Sequence, residues 1–202
     1  MIAFLVGRPF VERLAARSIE DRIGTPVNVS ISSSLRPGVA RGDLGEITVR
    51  AKQFDRDGVK LVGARAVYRG AHVELRKLLS GDVRVHYESV AFEGGLTQAA
   101  LAVYLRSLLS ERGLAAKKLR VAIASGRATV TLGSRHAAMT ARIVGTSSVK
   151  LVPLGGSAAL AGELAAPIQL GPLPDGVRLT GVTLRAGRAT ITGGGRGGTI
   201  RA

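Results

Sequence analysis

A chain of 202 residues with 46% hydrophobic and 21% charged residues can bury a core of its own and is too apolar to be disordered. Aromatic residues are only 3% with no Trp, which leaves little of the stacking surface that single-stranded nucleic-acid binders use. Without Cys, disulfides, thiol catalysis and thiolate metal sites are excluded, and the net charge of +15 calls for acidic partners, either anionic lipid headgroups or nucleic acid. That charge is unevenly spread. Residues 113–202 carry twelve Lys/Arg against two carboxylates, Glu163 and Asp175, whereas residues 1–112 carry seventeen against twelve.

The first six residues are apolar but far too short to cross a bilayer, and residues 1–8 are expected to be the remnant of an export or anchor segment. Pro9 opens a helical pattern to Ile23, with Val11, Leu14, Ala15, Ile19 and Ile23 on one stripe and Gly24 as its stop. The period then changes to two. Val27, Val29 and Ile31 alternate with polar residues, and after a turn-rich stretch at 33–45 so do Ile47, Val49 and Ala51. Asp55 to Gly58 predicts a turn, residues 59–68 a strand, residues 73–81 a short helical or looped connection, and Val83, Val85 and Tyr87 a further strand.

Thr97 is a suitable N-cap for a helix over 98–112, with Gly113 closing it and Leu101, Leu105, Leu108 and Leu109 forming a wide apolar stripe. From residue 119 the pattern is β throughout. Residues 119–124 and 127–132 flank a Ser125-Gly126 hairpin turn, and strands follow near 136–144 and 147–152. A Gly/Ala/Pro-rich excursion at 153–175 precedes strands at 177–184 and 188–192, and residues 193–202 are expected to form a flexible Gly-rich tail. The class is α+β and mostly antiparallel, with residues 9–192 as a single domain.

No catalytic constellation is visible. There is no phosphate-binding Gly loop ending in Lys-Ser/Thr and no nucleophile elbow, and His72, His86 and His136 are scattered without metal-ligand spacing. Asp55 and Asp57 lack the later ligands of a calcium loop and suit a turn. No enzyme activity and no cofactor are therefore expected. Lys117, Lys118 and Arg120 cluster at a helix-to-strand junction, with Arg127, Arg135 and His136 following, where they could bind phosphates on one rim or form a solvated edge.

Four stretches in order carry a resemblance. They are Val11-Glu-Arg-Leu-Ala-Ala-Arg17 leading to Val27-Asn-Val-Ser-Ile31, then Tyr68-Arg-Gly-Ala-His-Val-Glu-Leu-Arg-Lys-Leu-Leu-Ser-Gly81, then Gly95-Leu-Thr-Gln-Ala-Ala-Leu101, and last Leu170-Gly-Pro-Leu-Pro-Asp-Gly-Val-Arg-Leu-Thr-Gly-Val-Thr-Leu184. Over roughly residues 9–192 the chain resembles the LmeA-type family of bacterial envelope phospholipid-binding proteins. The resemblance implies a long curved antiparallel β-sheet wrapped against two main helices, like tubular lipid-binding domains, with an apolar cavity for acyl chains. It also implies an exported or membrane-associated role in the cell envelope.

On this basis Leu101, Tyr104, Leu105 and Leu108 are expected to line an acyl-chain cavity with Val83, Val85 and Tyr87 opposite, and Lys117, Lys118 and Arg120 to meet the headgroup phosphate. The expected partner is phospholipid at an anionic membrane surface, not nucleic acid. A ligand-free structural envelope domain is the alternative, and a basic nucleic-acid-binding protein the more distant one.

Overall fold

The computed structural model describes residues 16, 20, 24–32, 42–56, 58–73, 84–171, 173 and 176–201. Eleven strands and two helices are assigned in full. The strands are β1 (Asn28–Ser32), β2 (Asp43–Arg56), β3 (Val59–Val73), β4 (Arg84–Thr97), β5 (Leu119–Ala124), β6 (Arg127–Leu132), β7 (Arg135–Val144), β8 (Ser148–Gly156), β9 (Pro167–Gln169), β10 (Arg178–Arg185) and β11 (Arg188–Arg201). The helices are α1 (Gln98–Glu111), between β4 and β5, and α2 (Ala158–Glu163), between β8 and β9.

The alternation of apolar and polar residues becomes two antiparallel sheets, not one. Sheet 1 has the order β1-β2-β3-β4-β11-β10 and curls into a half-barrel, and sheet 2 has the order β5-β6-β7-β8-β9. α1 carries the chain from sheet 1 to sheet 2, and β10 brings it back. The sheets are tied where the β10–β11 turn meets the β5–β6 hairpin: Gly187 N–H donates to the Ile123 carbonyl (2.8 Å) and Gly126 N–H to that of Leu184 (2.9 Å). Gly126 adopts φ +75°, a left-handed conformation that few other residues accept and that sharpens this turn. Leu179 N–H adds a third link, to the Thr146 carbonyl at 2.9 Å. One buried apolar cluster runs through both sheets and both helices.

α1 begins where its residues dictate, with the Thr97 hydroxyl accepting from Ala100 N–H at 3.1 Å. Such a cap stabilises a helix by about 1 kcal/mol. Two other expectations need correction. The sheet is not wrapped against two main helices: α1 has 14 residues and α2, placed inside the supposed excursion at 153–175, has 6. The expected helix at 9–23 lies outside the described residues except for Ala16 and Glu20, both helical.

Of residues 193–202, expected as a flexible tail, 193–201 form most of β11 and pair with β4 from Gly193↔Phe92 to Arg201↔Arg84. Their glycines permit close approach. A Cβ on Gly193 would stand 2.8 Å from the Arg178 carbonyl oxygen, one on Gly195 would collide with the Gly176 carbonyl, and one on Gly198 with the Tyr87 hydroxyl.

Candidate functional site

α1 turns Leu101, Leu105 and Leu109 inward and leaves Tyr104 and Leu108, one turn apart, half-buried at its margin. Leu105 and Leu109 belong to the same buried core as Val130, Met139, Leu160 and Leu164, all of which likewise have 0% exposure, and the helix packs on β5 of sheet 2. This half of the core is filled by its own side chains. Burial raises the Tyr104 phenol pKa above the ordinary tyrosine range; the Glu111 carboxylate adds to the rise and Arg112 opposes it.

Val85 and Tyr87 are buried at the opposite end of β4. Val85 pairs with Val73 and Ile200, and Tyr87 with Gly198. The Tyr87 ring packs edge-on against Tyr68 with centroids 5.0 Å apart. Val83 lies outside the described residues. Strand residues rise about 3.3 Å each, so Tyr87 is roughly 33 Å along β4 from Thr97, whereas all of α1 is only about 21 Å long. The helix packs on β3, β4 and β5. The residues of β4 level with it are therefore Phe92 and Leu96, and the two halves of the expected lining are not brought together.

What spans the gap is a pair of apolar ladders across sheet 1. Val29, Val49, Ala66, Phe92, Gly193 and Leu179 stand in one row over all six strands. Ile31, Ile47, Tyr68, Val90 and Gly195 form the next row over five. The lining expected from the sequence omits Val90, Phe92 and Leu96, which are buried on β4 after the period-two pattern of Val85 and Tyr87 changes phase at Glu88 and Ser89.

Lys117, Lys118 and Arg120 are exposed around the start of β5, with buried Leu119 between the last two. Arg106 joins them, because its guanidinium donates to the Leu119 carbonyl at 3.2 and 3.4 Å. Helical spacing alone could not couple Arg106 to residues 13 positions on. Arg120 and His136 both stand opposite Thr131, in one row. Arg127 is at the far end of the hairpin, and Arg135 is engaged with Glu163 at 3.7 Å. The other oxygen of Glu163, Oε2, is buried without a hydrogen-bond partner.

Among the described residues no group of three or more His, Cys, Asp or Glu side chains could hold a metal ion. None of the described helices is long and apolar enough to cross a membrane. A family profile described as LmeA-like phospholipid-binding matches residues 3–194. No curated protein and no solved structure matches the chain significantly.

Proposed function

Because the chain belongs to the LmeA-like phospholipid-binding family, we propose that it binds phospholipid without catalysis, in lipid handling or maintenance at the cell envelope, as an exported or membrane-associated protein. The observation that carries this reading is the unbroken apolar row from Val29 to Leu179 across six curled strands, with the Ile31 to Gly195 row beside it. Such a face suits acyl chains, since each methylene buried contributes about 0.8 kcal/mol with no directional demand.

The acyl chains lie along this trough, with Val85 and Tyr87 toward one end and α1 at the other. Leu101 and Leu105 close its floor there, and Tyr104 and Leu108, only half-buried, form the lip. Lys117, Lys118 and Arg120, with Arg106, receive the headgroup phosphate, a charge-assisted contact that favours anionic lipids. In favour of a ligand-free structural domain stands the complete burial of Leu105, Met139 and Leu164, which shows a core that needs no lipid to fill it at that end.

Native mass spectrometry of the purified protein, with lipid identification from the same sample, tests the proposal. Stoichiometric phospholipid is expected, and Leu108→Asp should lower its occupancy about tenfold or more while far-ultraviolet circular dichroism stays unchanged. Equal loading of the variant would remove the lip from the site. A lipid-free mass after incubation with anionic vesicles would favour the structural reading.

A further inference from the structure

The two sheets differ on the faces that turn away from the core. On sheet 1 carboxylates answer some of the cations across strands, although Arg50 stands opposite Arg65 and Arg185 opposite Arg188: Arg69 pairs with Glu46 at 3.4 Å, and Arg65 stands opposite Glu93. Sheet 2 has no such answer. Residues 119–156, which include β5 to β8, contain no Asp or Glu. Because Ala128, Val130, Ala137, Met139, Val149 and Leu151 are buried, the alternate positions form the outer face. There Arg120, Arg127, His136, Arg142 and Lys150 surround a low floor of Ala and Thr, with Arg142 directly opposite Lys150. No described helix lies over this face; α1 and α2 both bury their apolar sides in the core.

The same face carries exposed aliphatic side chains. Val144 shares the outward parity of Arg142 and is 44% exposed, and Leu154, the extra residue of a bulge opposite Ala138 and Met139, is 58% exposed. Two of the three large hydrophobics most exposed among the described residues are thus in β7 and β8, beside cations with no carboxylate to pair them. Cations of one sign flanked by aliphatic tips are complementary to an anionic bilayer, which offers phosphates at its surface and hydrocarbon just beneath.

We propose that the outer face of sheet 2 is a membrane-docking surface that lies on an anionic phospholipid bilayer, with Arg127, Arg142 and Lys150 against the headgroups and Val144 and Leu154 entering the boundary below them. This deepens the phospholipid-binding reading and rests on it for the purpose of docking, because it supplies the surface through which the protein meets the membrane that gives or takes its lipid.

Flotation with phosphatidylcholine vesicles, with and without phosphatidylglycerol, tests the docking. Uptake of phosphatidylglycerol from detergent micelles, measured in parallel, reports lipid binding without a bilayer. The wild-type protein should float with the anionic vesicles only. Both R142E/K150E and L154D should weaken flotation by roughly tenfold or more while leaving micellar uptake unchanged.

Variants that float like the wild type would overturn the docking surface, as would a wild type that takes up lipid from micelles and never floats. Flotation without any micellar uptake would instead sink the binding site and leave the docking surface standing. Equal flotation on neutral vesicles would overturn its electrostatic basis. Salt-sensitive binding to duplex DNA without flotation would assign the face to nucleic acid and overturn the proposal.

Discussion

Sheet 1 and sheet 2 are both antiparallel, and both place one face in the common core, yet they meet that core differently. Sheet 1 is built from strands of up to 15 residues that curl, and its inner rows are aliphatic, aromatic or glycine. Sheet 2 uses strands of 10 residues or fewer, and its inner face is closed by Leu105, Leu109, Leu160 and Leu164 from two helices. Outside, sheet 1 pairs some of its charges, such as Arg69 with Glu46, whereas the first four strands of sheet 2 contain no acidic residue. The inner row of sheet 1 is itself buried, from Val29 at 8% exposure to Leu179 at 7%. Sheet 2 is the shorter sheet and has no described helix over its outer face. On the proposed reading, holding acyl chains and meeting a bilayer fall to different faces of the protein.

The largest expected effect breaks this comparison at the core. Leu105→Ala should destabilise by about 2–5 kcal/mol, because the filled half has no other group to close the cavity. Val85→Ala should cost about 1–3 kcal/mol, and saturating phospholipid should restore much of that loss if the trough accepts acyl chains. Thermal denaturation with and without lipid compares the two variants; equal rescue of both would erase the distinction between the halves.

A smaller effect separates the glycines of the two sheets. Gly195→Ala should cost about 1–3 kcal/mol, since its Cβ would meet the Gly176 carbonyl, whereas Gly155→Ala in β8, with nothing within 4 Å, should stay within about 0.5 kcal/mol. Urea titrations of both variants check this, and a silent Gly195→Ala would mean that residues 176–178 do not press on β11.

The smallest effect belongs to Tyr104. Its phenol holds its proton more firmly in the fold than in the unfolded chain, so the associated stability is full below the unfolded value near pH 10 and is lost as pH rises through the folded one. Tyr104→Phe should flatten the fall in stability above about pH 10, and an unchanged slope in alkaline denaturation would show that the margin of α1 is open to water.

Much of this was legible in the residues. Thr97 and Gly113 bracket α1 within a residue or two, and Ser125-Gly126 marks the β5–β6 turn, because caps and turns answer to local chemistry. The candidate site was only half legible. The alternation at Val85 and Tyr87 says that they face inward, but period two is silent about how far along a strand a helix reaches, and so their distance from Leu105 was hidden.

By itself the sequence determined most of the element types, the inward-facing residues of most strands, and the charge imbalance of the last 90 residues, all of them properties of near neighbours along the chain. Only the tertiary structure decided that the strands divide into two sheets, that β11 lies between β4 and β10, and that Gly193, Gly195 and Gly198 are glycine because other chain segments press on them. Strand partners are chosen by contacts between residues far apart in the chain, and a glycine looks the same in sequence whether it frees the backbone or makes room for another.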